Sequence, residues 1–264
     1  MVALARRAAL FTVLPLVASG LAGCGAEQGT ASAGAGEGTP TRLRPELVIF
    51  VFDRSTSITG FQLDMARHLT NDRIRKMDHG DRISAHQILQ LSLAEPPLRW
   101  SETIPSRRWE QLEMMRDSVT RARFLQDAMD YLVVFTDTLG REDINGTDIL
   151  STFHDVAADL RAAANRNATM YIFSDMLQSN RVIDMEGLNR MPPADYVRRR
   201  KQQGTLPDLT GLCVVALGAR VDTPASQRVL RFWKEYFEAT GAILEEHNYM
   251  LRPVSLPVDP CGAA

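Results

Sequence analysis

Thiols and imidazoles are scarce in this chain, which has three cysteines and five histidines among 264 residues. His68, His79, His86, His154 and His247 are scattered, and neither they nor the cysteines fall at metal-ligand spacings, which argues against a zinc or copper centre. Neither sign of charge prevails, with 30 Lys and Arg against 32 Asp and Glu, so a polyanion-binding protein is not indicated and nucleic acid is not an expected partner. Long apolar runs are missing except near the start, and that one is short for a membrane span. No internal repeat is present. At 45% apolar composition the chain still suffices for one good core, and nothing in it suggests general disorder.

The apolar run from Ala8 to Gly23 follows Arg6-Arg7 and reads as the body of a signal segment. It ends Leu21-Ala22-Gly23-Cys24, which resembles a bacterial lipobox. That resemblance implies cleavage before Cys24 and lipidation of its thiol, leaving residues 1–23 as a signal peptide. An uncleaved anchor or an ordinary secretory signal are the alternatives, and either also places the domain outside the cytoplasm. Losing Arg6 and Arg7 makes the mature chain slightly more negative. Gly25 rather than Asp after the cysteine resembles the outer-membrane sorting pattern of Gram-negative lipoproteins. The expected location is therefore the cell envelope, on the outer membrane facing the periplasm or at the cell surface in such a cell.

From Cys24 to residue 43 the chain is mostly Gly, Ala, Ser and Thr, which makes a tether with an r.m.s. reach of roughly 25 Å. Two thiols remain, Cys213 in a strand-like run and Cys261 in a tail over residues 253–264. They either pair, as the compartment permits, or stay apart as a small buried hydrophobe and an idle tail residue.

Residues 44–252 alternate strand-like and helix-like segments. Leu47-Val48-Ile49-Phe50-Val51-Phe52 is apolar at every position, as a strand covered on both faces is. Phe61, Met65 and Leu69, continued by Ile74 and Met77, predict a helix. Ile83, Ala85, Gln87, Leu89 and Leu91 alternate as a second strand, and Leu98-Arg99-Trp100 predicts a short strand at the sheet edge. Residues 106–138 suit one long helix or two shorter ones. Ile149, Phe153, Val156 and Leu160 predict a helix leading into the strand Met170 to Asp175. After an irregular stretch with one short helix and the basic cluster Arg198-Arg199-Arg200-Lys201, a strand over Leu212 to Leu217 precedes a helix opened by Thr223-Pro224 and closed by Gly241. A last strand is expected from Ala242 toward Leu251. This succession predicts an α/β fold, a mostly parallel sheet with one antiparallel edge strand and helices on both faces.

Three points in this scheme bear oxygen ligands: Asp53, Ser55 and Ser57 where the first strand turns toward its helix, Thr147 before the helix at Ile149, and Asp175 at a strand end. In such sheets ligands collect beyond the carboxyl ends of strands where strand order reverses. Asp-x-Ser-x-Ser followed by Thr and Asp resembles the metal-ion-dependent adhesion site of the von Willebrand factor A domain, a Rossmann-like fold. Gly80-Asp81-Arg82-Ile83 and Gly146-Thr147-Asp148-Ile149 also resemble that family. The resemblance covers about Arg44 to Leu251. It implies that Ser55 and Ser57 ligate through hydroxyls, that Thr147 ligates directly or through water, and that Asp53 and Asp175 mostly hold metal-bound waters.

Oxygen donors without sulfur or imidazole suit Mg²⁺ first, with Mn²⁺ or Ca²⁺ possible. A cation touched by neutral hydroxyls keeps its charge and an exchangeable position, which an Asp or Glu carboxylate of a partner protein can fill. That is a binding device rather than an enzyme, and the sequence offers no evident general base or nucleophile. A phosphotransferase of the haloacid dehalogenase type also ends its first strand in Asp, but it needs a second Asp where this chain has Ser55. A structural or assembly lipoprotein that uses the fold without metal is the other alternative.

Overall fold

Strand β1, Glu46–Asp53, is buried at all eight positions because it runs through the middle of a six-stranded sheet with a layer on either face. The computed structural model describes residues 44–53, 55, 60–88, 99–104, 118–130, 146–180, 182–185 and 191–262. Along the chain follow α1 (Gly60–Arg75), β2 (Arg82–Ile88), β3 (Arg99–Thr103), α2 (118–130), α3 (Ile149–Ala162), β4 (Asn167–Phe173), α4 (Tyr196–Gln202), β5 (Leu212–Leu217), α5 (Pro224–Thr240), a 3-10 turn (Glu246–Asn248) and β6 (Tyr249–Met250). Sheet order is β3-β2-β1-β4-β5-β6, parallel throughout except for β3, which pairs antiparallel with β2 at the edge. The expected α/β architecture is therefore present.

The period-two geometry of a strand divides the core between two faces. Val48, Phe50 and Phe52 meet Ala66, Leu69 and Ile74 of α1 and Leu125 and Ala128 of α2. Leu47, Ile49 and Val51 meet Phe153 and Val156 of α3 and Trp233 and Phe237 of α5. Rings reinforce the β1–β4 pairing, with Phe52 stacked on Phe173 at 5.2 Å and Phe50 on Tyr171 at 5.8 Å. Helix α5 starts as its sequence predicts, with Thr223 and Ser226 in a reciprocal capping box and Pro224 at the first turn, and stops at Gly241 in the left-handed region with φ 82°.

The polar phase of β2 faces the α3 side of the sheet yet stays dry. Ser84 and His86 are fully buried there and converge on Asp159 of α3. The Ser84 hydroxyl donates to Asp159 Oδ2, and His86 Nε2 lies 2.7 Å from the same oxygen. Burial alone would raise the Asp159 carboxyl, but the hydrogen bonds from His86 and Ser84, with the charges of His86 and Arg82, hold it below the ordinary carboxylate range. A carboxyl lowered in the folded chain contributes stability above its unfolded pKa, and that contribution is lost as pH falls through the folded value. An Asp159→Asn variant is expected to lose about 1–3 kcal/mol at pH 7 in urea unfolding, and to lose little more on acidification to pH 3, whereas the unsubstituted protein declines.

One expectation changes. The last strand shrinks to Tyr249–Met250, because the chain touches β5 once through an Ile243–Cys213 bridge and then detours through the polar turn Glu246–Asn248. Buried Asn248 anchors that detour by donating to Pro260 O at 3.0 Å. The C-terminal segment is also fastened to the domain. Leu256 is buried among residues of the α1 face, the Tyr171 hydroxyl donates to Pro257 O, and Cys261 forms a disulfide with Cys213, their Cα atoms 5.9 Å apart. Of the 106–138 helix, residues 118–130 are helical and the remainder lies outside the described residues, as do Leu89 and Leu91.

Candidate metal centre

After β1 the chain passes to β2 on one side, and β4 enters on the other, so the strand order reverses between β1 and β4. Connections diverge at such a point and leave a crevice beyond the carboxyl ends of the two strands. Asp53 is the last residue of β1, and Ser174 and Asp175 follow the last residue of β4. Asp53 is 1% exposed. Its Oδ1 accepts from the Ser55 backbone N–H at 2.8 Å, and its Oδ2 accepts from the Ser174 hydroxyl at 2.6 Å. Asp175 makes a similar local turn, its Oδ1 accepting from Leu177 N at 3.0 Å.

Burial, with the charge of Asp175 next, pushes the Asp53 carboxyl up to about 6, against the lowering effect of the Ser174 and Ser55 hydrogen bonds. A buried carboxyl thus feels the charge of a second, half-buried one, an arrangement that a cation would relieve.

Thr147 reaches the same loop from the other side. It forms an isolated antiparallel bridge with Ser179, donating from N to Ser179 O at 2.6 Å and accepting at O from Ser179 N at 2.9 Å. Gln178 staples the join by donating to Asp148 Oδ1 at 3.0 Å and accepting from Leu150 N at 3.1 Å at the start of α3. Loop 174–180 therefore binds the β1 end through Ser174 and the α3 entry through Gln178 and Ser179. Its shape is held from below as well. Trp233 Nε1 donates to Met176 O at 2.8 Å, and Met176 is held at φ 63°, a conformation that non-glycine residues rarely adopt. Gly218, with φ 105°, passes so close that a Cβ there would lie 2.9 Å from Ser174 O.

Thr147 is 1% exposed, and its Oγ1 is buried with no hydrogen-bond partner among the described residues. A buried hydroxyl without a partner is destabilising by about 1–3 kcal/mol, so its persistence beside a carboxylate-bearing loop fits a bound ion or ion-held water. A donor set of two carboxylates and neutral hydroxyls, with neither sulfur nor imidazole, would suit a hard cation. Among the described residues no group of three or more His, Cys, Asp and Glu gathers as a metal cluster.

Of the residues expected from sequence, Asp53, Ser55, Thr147 and Asp175 are described, and the first, second and fourth lie at the β1–β4 switch point. Ser57 and Cys24 lie outside the described residues. Sequence reasoning missed Ser174 and Gln178. Ser174 stood in plain view, but the strand was expected to run to Asp175, which hides a residue that turns toward Asp53. Gln178 carries no local signal, because its role exists only once α3 and the loop meet.

Asp175 also lines an open cleft of about 430 Å³ that continues past Leu177, Met185, Tyr249 and Leu251, with Arg220 at its wall.

No protein-family model matches the chain, and no curated protein sequence matches it. Solved structures with a similar course include proximal thread matrix protein 1 from the mussel byssus, at 12% identity and TM-score 0.38 over 75% of this chain and 46% of that one. Human COPII-coat protein Sec24c is similar at 10% identity and TM-score 0.36 over 70% of this chain and 28% of that one. A von Willebrand factor type A protein from Catenulispora acidiphila is similar at 10% identity and TM-score 0.33 over 75% of this chain and 43% of that one. The chain spans less than half the length of each. At such values the likeness concerns the course of the backbone and carries no information on ligands.

Proposed function

We propose that this chain is an extracytoplasmic binding module of the von Willebrand factor A type, held at a membrane through a lipid on Cys24, that captures a carboxylate of a protein partner through a divalent cation. Asp53, Ser55, Ser57, Thr147 and Asp175 hold the ion, Mg²⁺ first and Mn²⁺ or Ca²⁺ as substitutes. Bound there, the ion supplies a positive charge with an exchangeable coordination position. The observation that carries this reading is the buried hydroxyl of Thr147, which has no hydrogen-bond partner among the described residues and is set against the same loop that brings Asp175 to the raised carboxyl of Asp53.

The residues around the site position oxygens rather than activate them. Ser174 and the Ser55 amide orient the Asp53 carboxylate, and the Gln178 staple holds Thr147 at the loop. The cleft that continues from Asp175 offers room for the partner's side chains beside the captured carboxylate.

Isothermal titration of Mg²⁺ into the purified domain tests the reading. Wild type is expected to bind with one site. A Ser55→Ala, Ser57→Ala double variant is expected to fold normally and lose at least about tenfold in affinity, as removal of two ligands implies. Equal binding by the two proteins would refute the site, and would leave the metal-free structural role.

A further inference from the structure

The basic cluster on α4 takes no part in the candidate metal centre, yet it borders a groove of about 390 Å³ between α4 and the entry to α3. Only Val197 of α4 is buried, so Arg198, Arg199, Arg200 and Lys201 face outward. One carboxylate serves two of these cations: Asp195 lies 3.2 Å from Arg199 and 4.0 Å from Arg198. Arg200 lies over the Tyr196 ring at 5.6 Å and donates from Nε to its hydroxyl at 3.3 Å. That ring is itself packed against Phe232 at 6.1 Å. The guanidinium is therefore held in place, with less freedom to lose on binding.

The groove has a second chemistry. Val182 is 76% exposed at its edge, and Ile183 and Leu150 line it beside Arg199 and Arg200. The acidic residue in its wall is occupied, since Asp148 accepts from Gln178 at 3.0 Å, from Ser151 N at 3.4 Å and from Asn180 at 3.5 Å. Cationic and apolar groups thus share one concave surface.

We infer that this groove is a second interaction surface, independent of the cation, that takes an extended acidic peptide segment of a protein partner with an apolar side chain between its carboxylates. Carboxylates pair with Arg199 and Arg200, and the apolar side chain covers Val182. Charge complementarity selects the acidic partner. Concavity selects a chain over an anionic lipid surface, because a flat membrane meets protruding side chains and leaves the apolar floor of a groove uncovered.

The test uses a fluorescein-labelled synthetic peptide of about ten residues alternating Glu and Leu, read by fluorescence anisotropy with EDTA present so that the metal site is silent. Saturable binding is expected, weakened at least about tenfold by Arg199→Glu with Arg200→Glu and by about as much by Val182→Asp. Arg198→Glu with Lys201→Glu, on residues outside the groove lining, is expected to change it less than about threefold. All these positions are exposed, and circular dichroism checks that the variants fold. Absence of saturable binding up to about a millimolar peptide would overturn the inference. So would equal losses from both charge reversals with no effect of Val182→Asp, which is the pattern of diffuse attraction. Capture by anionic phospholipid vesicles in flotation, unaffected by Val182→Asp and without peptide binding, would assign the cluster to a membrane surface instead.

Discussion

Magnesium at a hundred times its dissociation constant is expected to stabilise the domain by about 2.7 kcal/mol, a rise in melting temperature of roughly 5 to 10 °C over the EDTA-treated protein. Asp53 is the group whose strain such an ion would relieve. Its carboxyl is raised from 3.8 to about 6 in the folded chain, first by burial and then by Asp175. A raised carboxyl favours folding below its unfolded pKa, and that contribution disappears as pH rises through about 6. At neutral pH an ionised Asp53 is therefore a net penalty, of order 3 kcal/mol by the size of the shift.

Replacing the charge tests this directly. Asp53→Asn keeps the side-chain shape, can still accept from the Ser55 amide, and can donate to the Ser174 oxygen. Differential scanning calorimetry in EDTA at pH 7 is expected to show the variant more stable than wild type, and addition of Mg²⁺ is expected to leave it unmoved. A variant less stable than wild type in EDTA would mean that the two hydrogen bonds outweigh the buried charge. A variant that still responds to Mg²⁺ would move the ion away from this corner.

Reduction of Cys213–Cys261 is expected to lower stability by about 4 kcal/mol, because the bond closes a loop of 48 residues' separation and restricts the unfolded chain accordingly. For a domain of this size the melting temperature falls by roughly 8 to 16 °C. Cys261→Ser should reproduce the loss, in thermal unfolding with and without a thiol reductant. A loss under about 1 kcal/mol would mean that Leu256 and the Tyr171–Pro257 contact already hold the segment. The bond joins the second residue of β5, at the amino end of the sheet, whereas Asp53 and Asp175 lie at the carboxyl ends. The response to Mg²⁺ is therefore expected to survive reduction, which separates the two effects.

Legibility of this chain follows the range of the forces involved. Strand β1 and the Asp53 turn were readable because an apolar run and the residue that ends it are neighbours in sequence. The start and stop of α5 were readable for the same reason, since Thr223, Pro224, Ser226 and Gly241 satisfy backbone groups within a turn of themselves. The β2 pattern was half readable: the alternation was evident, but Ser84 and His86 on its polar phase are buried, because Asp159 arrives from α3 to pair with them.

By itself, then, the sequence determined the succession of strands and helices, the two-faced burial of β1 and the oxygen chemistry available at Asp53, Ser55, Thr147 and Asp175, all of which depend on residue type and near neighbours. Tertiary structure alone decided that Ser174 grips Asp53, that Gln178 joins the loop to α3 beside Thr147, that the final strand shortens to Tyr249–Met250, and that Cys213 meets Cys261. The physical reason is that each of these pairs residues about 30 or more positions apart, or depends on a strand finding its neighbour. Such contacts form only after the sheet order has brought the partners together, and no local pattern encodes that order.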